Sequence, residues 1–410
     1  MLYESILKMC NEATLKFIRE HRFDDVRKLA LQNSSVPKPL SPSSINITWA
    51  LTQIQGRQLA ENKIPSWHQS DEIVYPPHLA MEQCSSEQTA RYKAGLLSGK
   101  SFIDLTGGFG VDFAFISPNF RESYYVERQK ELCEIAAFNF NNLALNAAGI
   151  IHSDATIYLR KAAPVDAIFL DPGRRSVSGK KVFSIHDSEP NLLVIQDLLF
   201  EKAENILIKL SPMLDISQTL RQLKNVAEVH VVSLENECKE LLFLLKKDYT
   251  SGPLITCVNL TKKNHSKISF LLSQEKANQI KYTSEIEQYI YEPNASLLKA
   301  GFFKGLTDLY PLKKFHPDSH LYTSAQFIPD FPGRIFCTET YTTLSKKTLK
   351  KFLSGIEKAS ITVRNFPLSV VDLRRRIRVK DGGEIQLFAT TLANEKIVLI
   401  KTRKAGFTDF

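Results

Sequence analysis

Apolar residues recur at helical spacing through Leu2, Ile6, Met9, Leu15, Ile18, Val26, Leu29 and Leu31, which predicts a helical start over residues 1–33. The proline- and serine-rich stretch 34–44 breaks this pattern and reads as a linker, and a second helix is expected over 46–62. The passage 64–81 contains prolines and reads as an irregular crossing. Ser85 with Gln88 three residues on has the spacing of a capping box that opens a helix running into the first strand. From residue 101 the texture changes. Short, nearly continuous apolar runs at 101–106, 123–127, 149–154, 166–171, 205–210, 228–234 and 254–260 alternate with helical patterns. In one of these patterns Leu132, Ile135, Ala136, Phe140 and Leu143 share a face. Runs of this kind suit parallel strands covered on both sides, and their alternation with helices predicts βαβ units. The expected architecture is therefore an N-terminal helical region (1–98) followed by a doubly wound, Rossmann-like α/β domain (99–265). A small connecting module (266–328) and an α+β module (329–410) complete it. In the last of these, Asp381-Gly382-Gly383 has the composition of a hairpin turn between two alternating runs.

No apolar run approaches the roughly 18 residues of a membrane span, and the opening MLYESILKMC carries no basic leader ahead of an apolar segment, so a cytoplasmic protein with no membrane partner is expected. The six cysteines are scattered with no C-x-x-C pair, which argues against a disulfide framework or a cysteine-rich zinc site, and no metal is expected. His316-Pro317-Asp318-Ser319-His320 reads as a solvated loop. Charge changes the picture more than composition does. Residues 331–410 hold 16 basic and 7 acidic side chains, so the net +9 of the whole chain resides in its last fifth. Arg364, Arg374, Arg375, Arg376, Arg378 and Lys380 are the candidate phosphate contacts, which makes a polyanion the expected partner.

Ligands of open α/β sheets bind beyond the carboxyl ends of the strands. Those ends read Asp104-Leu105-Thr106-Gly107-Gly108-Phe109-Gly110, then Glu127-Arg128, Asp154-Ala155 and Asp171-Pro172. A dinucleotide loop would want a third glycine where Phe113 stands, which disfavours a pyrophosphate. Each acid alone is an ordinary turn or cap residue. Four acids at four successive strand ends suit a ligand that carries an adenosine and positive charge but no phosphate, and S-adenosylmethionine has that chemistry.

DLTGGFGVD, YYVER, HSDA and IFLDPGRR resemble, in order, the nucleotide-binding motifs of class I S-adenosylmethionine-dependent methyltransferases. The loop is similar to the D-x-T-x-G-x-G form of small-subunit rRNA guanine-N2 methyltransferases. WALTQIQGRQLA, EQCSSEQTARYKA and VRNFPLSVVDLRRRIRVKDGG extend the likeness to a bacterial family of methyltransferases with a C-terminal THUMP-like domain. The resemblance implies a seven-stranded sheet. It also implies that Asp104, Thr106, Gly108 and Gly110 lie at the methionine moiety with Ser86 closing over it, Glu127 and Arg128 at the ribose, and Asp154 and Ala155 at the adenine. Asp171, Pro172 and Arg174 would lie at the catalytic strand end, and tRNA or rRNA would be the substrate. Two features depart from the pattern. Asp171-Pro172-Gly173-Arg174-Arg175 lacks the aromatic residue that stacks on a target base in exocyclic-amine methyltransferases, and the basic module follows the catalytic domain instead of preceding it. An exocyclic base amine such as guanine N2 is the expected target. Ribose 2′-OH methylation is the alternative, because Lys93, Asp171, Lys209 and Glu235 resemble the tetrad of that class. A protein or small-molecule methyltransferase and a non-catalytic RNA-binding protein are further alternatives. Oligomeric state is not legible.

Overall fold

Strands form where the apolar runs stand, because both faces of the sheet are covered. The computed structural model describes residues 4–33, 45–145, 149–174, 185–262 and 265–405. The expected linker at 34–44 lies outside the described residues. Two units result, 1–229 with 240–251, and 230–239 with 252–410.

In the first unit β1 (Ser101–Asp104), β2 (Glu122–Glu127), β3 (Gly149–His152) and β4 (Val165–Leu170) pair in parallel. β5 (Gly173–Arg174) and β6 (Ser188–Glu189) make a two-residue ladder apart from this sheet. β7 (Ala203–Leu210) is parallel to β4, and β8 (Val226–Leu234) and β9 (Glu237–Lys246) follow it. β10 (Leu254–Leu260) and β11 (His265–Leu271) fall in the 252–410 stretch, and the hydrogen-bonded strand order is β11-β10-β8-β9-β7-β4-β1-β2-β3. The expected seven strands thus become nine. The run of β9, with Glu240 through Leu245 buried, reads equally well as a buried helix segment. What makes it a strand is the two-residue turn Glu235-Asn236, both residues at positive φ, which matches the twist of a tight hairpin.

Beneath β1 and β2 the core is aromatic. Phe113 lies 4.9 Å from Phe140, 5.6 Å from Tyr125 and 6.1 Å from Phe102, all buried. The predicted N-terminal helix is three helices, Glu4–Met9, Glu12–His21 and Val26–Gln32, because Asn11 and Asp25 accept from backbone amides and start new ones. The irregular passage before residue 81 is held by amide side chains: Gln53 bonds both backbone groups of Tyr75, and Asn139 bonds both of Val74.

The second unit carries β12 (Tyr289–Pro293), β13 (Lys313–Lys314), β14 (Tyr322–Ser324), β15 (Gly333–Thr342), β16 (Ser360–Arg364), β17 (Ile385–Thr391) and β18 (Ile397–Lys404), in the order β13-β14-β12-β15-β18-β17-β16. Leu373 and Ile377 of the helix Val370–Ile377 pack with Leu387, Ala389 and Leu399 in one apolar cluster, and Phe336, Phe388, Val398 and Ile400 build a second. The hairpin expected at Asp381-Gly382-Gly383 is corrected. Those residues join the helix Val370–Ile377 to β17, and the antiparallel hairpin is β17 with β18. Leu373 and Ile377, four apart and both buried, carry the helical period that the arginines between them obscured.

His316 is not in a solvated loop: its ring is mostly enclosed and bonds Glu395 and Asn365. His320 stacks on Phe303 with ring centroids 3.7 Å apart, and burial, reinforced by Lys314, lowers its pKa to about 4. The unfolded chain protonates near pH 6.5 and the folded one near 4, so this residue withdraws stability as pH falls between those values. We expect the wild-type melting temperature to drop between pH 6.5 and 4, and His320→Phe to flatten that part of the profile. Parallel profiles for the two proteins would disprove the assignment.

Candidate functional site

The first unit's parallel strands place four acids along one edge, in the spatial order Asp154, Glu127, Asp104, Asp171 after β3, β2, β1 and β4. Asp104 ends β1 fully buried. Its Oδ1 accepts the Thr106 amide at 3.0 Å, while its Oδ2 is buried with no hydrogen-bond partner among the described residues. Burial, with further push from the carboxylates of Asp112, Asp171 and Glu127, holds its pKa well above the usual carboxylate range.

The loop after β1 is held down onto Tyr125, whose hydroxyl donates to the Gly108 carbonyl. A Cβ at Gly107 would come 2.1 Å from the Tyr125 ring, and Gly110, at φ +86°, would meet Phe140 at 2.7 Å. Only glycine fits either position. Glu127 accepts the Gly108 amide on Oε2 at 2.9 Å and the Gln129 amide on Oε1 at 2.8 Å, so it shapes the loop from β2.

Asp154 is exposed and caps the helix Ala155–Lys161 through the amides of Thr156 and Ile157, with Ala155 buried behind it. Arg128 pairs with Glu189 at 2.9 Å. Ser86, not Ser85, is the N-cap of the helix Glu87–Ala94, which corrects the expected capping box by one residue. Asp171 donates its backbone N–H to Thr106 Oγ1 at 2.6 Å, and half-buried Pro172 follows it. Arg174 has its backbone in β5, whereas its side chain, like the whole of Arg175, lies outside the described residues.

Behind these acids lies a buried ion network of which the sequence had named Lys93 and Lys209 but not Ser85, Asp112 or Glu240 as ionic partners. Lys93 Nζ meets Glu240 Oε1 and Oε2 at 2.7 and 2.8 Å, Asp112 Oδ1 at 3.1 Å and Ser85 Oγ at 3.1 Å. Lys209 Nζ meets Asp171 Oδ2 at 2.5 Å, Ser85 Oγ at 3.1 Å and Asp112 Oδ2 at 3.5 Å. Ser85 donates its own hydrogen to Asp112 Oδ2 at 2.7 Å. Burial penalises the Asp112 charge, yet Lys93 and Lys209 hold its pKa below the usual range, whereas burial leaves Glu240 raised. For Lys209 the desolvation penalty is outweighed by Asp171, Asp112 and Glu240, so its pKa rises and it stays protonated.

Lys93, Lys209 and Asp171 of the resembling tetrad therefore do come together, but with Glu240 and not Glu235. Glu235 is exposed in the β8–β9 turn and accepts the Lys262 amide. The available signal for Glu240 was an acid at the head of an otherwise apolar run.

The orphaned Asp104 oxygen, surrounded by further carboxylates, is what an ammonium or sulfonium would relieve, and the glycine loop leaves backbone open beside it. The residues therefore fit S-adenosylmethionine. Among the described residues, no group of histidine, cysteine and acidic side chains could hold a metal ion, and no helix is long and apolar enough to cross a membrane.

In the second unit, three of the six candidate RNA contacts have acidic partners, and exposed Arg375 is the most loosely held, at 3.5 Å from Asp372. Arg364 bonds Glu292, and Arg374 bonds Asp381 and the carbonyls of Ala359 and Val379. Arg375, Arg376, Arg378 and Lys380 are exposed. The arginines lie on the helix Val370–Ile377 and its cap, not on a strand face.

Family models match residues 289–332 as a ferredoxin-like domain and 333–403 as a THUMP domain-like module. No curated protein matches the chain. A solved "putative methyltransferase from Porphyromonas gingivalis W83" is 34% identical over 99% of this chain and 100% of its own, with a TM-score of 0.85. A solved rRNA methylase from Streptococcus thermophilus, 15% identical, covers 39% of this chain and 94% of its own at a TM-score of 0.30. Identity sustained along the full length of the Porphyromonas protein, with the THUMP-like match at the C-terminal end, places the chain in a bacterial family of class I methyltransferases that carry a C-terminal THUMP-like domain.

Proposed function

We propose that this chain transfers the methyl group of S-adenosylmethionine to an exocyclic amine of a base in tRNA or rRNA, guanine N2 being the type of atom meant, and that it works in the cytoplasm. The observation that carries this reading is the buried, unpartnered Asp104 Oδ2 at the centre of an edge of carboxylates. Asp104 would hold the methionine ammonium, with Thr106, Gly108, Gly110 and Ser86 around it. Glu127 and Arg128 would take the ribose, and Asp154 and Ala155 the adenine. S-adenosylmethionine, when bound, supplies an electrophilic methyl on sulfur.

The chain's own part is alignment and a place for one proton. Asp171 Oδ2 is occupied by Lys209, so Oδ1 is the oxygen that accepts an amine N–H and directs the nitrogen lone pair. The proton then leaves through the partly exposed carboxyl to water. Pro172 stiffens the strand end, and Arg174 is assigned to the target base or its phosphate. Arg375, Arg376, Arg378 and Lys380 are the exposed charges for RNA phosphates.

The assembly of Lys93, Lys209, Asp171 and Glu240 favours ribose 2′-OH methylation as a second reading. That chemistry asks a lysine to give up its proton to activate a hydroxyl. Lys209 is held protonated, and Lys93 is fully buried among its partners. The amine reading therefore leads.

Incubation of the purified chain with tritiated S-adenosylmethionine and RNA from cells lacking the protein tests both. We expect label in a base-methylated nucleoside, and Asp171→Asn to lower kcat about 10²-fold or more. Label in an alkali-resistant dinucleotide would move the target to the ribose. Label in protein, or no label, would reject RNA methylation.

A further inference from the structure

We infer that Lys209 is the positioning residue for Asp171, fixed in turn by the Ser85 hydroxyl and Asp112 and backed by the buried Lys93–Glu240 pair; this rests on the reading of Asp171 as the acceptor. Asp171 needs such support because its side chain is 37% exposed in the segment after β4, where a carboxyl alone would sample several rotamers. The sheet delivers the partner. In the parallel register of β4 and β7, Leu170 faces Ile208, which sets Lys209 beside Asp171 one step further along.

A lysine is a flexible anchor unless its ammonium group is held from several sides, and here both ammonium groups are, by hydrogen bonds and ion pairs together. Lys209 Nζ has Asp171 Oδ2, Ser85 Oγ and Asp112 Oδ2, while Lys93 Nζ has Glu240, Ser85 Oγ and Asp112 Oδ1. One serine hydroxyl closes the set. Its hydrogen goes to Asp112 and its two lone pairs go to the two ammonium groups, so its hydrogen-bonding capacity is used in full.

The contributors come from separate places: the residue ahead of the helix Glu87–Ala94, that helix itself, the helix Val111–Ile116, β7 and β9. The rotamer of Asp171 is therefore referred to the rigid interior and not to its own loop. Among the described residues, the charged groups around it are Lys209 from β7, Asp104 from β1, Asp112 from the helix after the glycine loop and, behind Lys209, Lys93 and Glu240. Removing the Lys209 charge takes from Asp171 the cation that contacts it and leaves only Lys93 behind, so the carboxylate loses its closest counter-charge in the network.

The test uses the full chain and the variants Lys209→Met, Lys209→Arg and Ser85→Ala. For Lys209→Met we expect kcat to fall about 10²-fold, the size of effect a small misplacement of a reacting group produces, with the KM for S-adenosylmethionine little changed. The acid limb of its kcat profile should move to higher pH. Lys209→Arg should return the limb to its wild-type position but recover only part of the rate, since a planar fork cannot satisfy the same three acceptors. Ser85→Ala should lower kcat with the limb in place, which keeps the inference testable if Lys209→Met does not fold. A carboxyl carbon NMR titration, with the Asp171 signal identified by its absence in Asp171→Asn, reads the pairing without any activity. If the wild type transfers no methyl but the Asp171 titration still rises in Lys209→Met, the proposed function fails and the positioning stands. An unmoved Asp171 titration, or a Lys209→Met rate within threefold of wild type, overturns the positioning.

Discussion

Carboxylates that crowd into a low-dielectric edge repel one another, and the first unit concentrates Asp104, Asp112, Asp171, Glu127 and Glu240 around the ends of β1 and β4. Two lysines answer part of that charge. Lys93 and Lys209 neutralise the inner acids around a single shared hydroxyl, and among the described residues Asp104 Oδ2 is left without a partner. An uncompensated acid at the head of a glycine loop is costly to keep unless a ligand brings the missing positive charge. The geometry of the strand ends, the closeness of Gly107 to Tyr125 and the burial of Lys93 all serve this one electrostatic arrangement.

The acids themselves were visible in the sequence because a strand end is a local signal: an apolar run stops, and the next residue is polar. Asp104, Glu127, Asp154 and Asp171 all follow that rule. The network behind them was visible only in part: resemblance grouped Lys93 and Lys209 with Asp171, but Ser85, Asp112 and Glu240 join them only after the sheet brings four separated stretches together. Ser85 was even assigned a different task, as a helix cap, since a serine before a helix is ambiguous between neighbouring positions. Glu235 and Glu240 lie five residues apart on the two sides of one tight turn, and spacing alone does not say which of them turns inward.

The second unit illustrates a different limit. Three consecutive arginines masked a helix whose buried positions are only Leu373 and Ile377, and the turn composition of Asp381-Gly382-Gly383 then pointed to the wrong hairpin. Charge density also overstated the free binding surface. Arg364 and Arg374 spend their donors on Glu292, Asp381 and backbone carbonyls, so the electrostatic footprint falls to the outward-facing members of the same helix and its cap. The stack of His320 on Phe303 shows a third residue type withdrawn from solution chemistry by packing.

Calorimetric titration of the chain with S-adenosylmethionine, and with S-adenosylhomocysteine, in two buffers of different ionisation enthalpy examines the central electrostatic claim directly. Because burial raises the Asp104 pKa, arrival of a cation beside it must lower that pKa again and favour loss of the proton. Titrated over a range of pH, binding to the wild type is expected to become coupled to proton release as pH falls, with the release abolished in Asp104→Asn. Silence at millimolar ligand, or binding that releases no proton in the wild type, would contradict it.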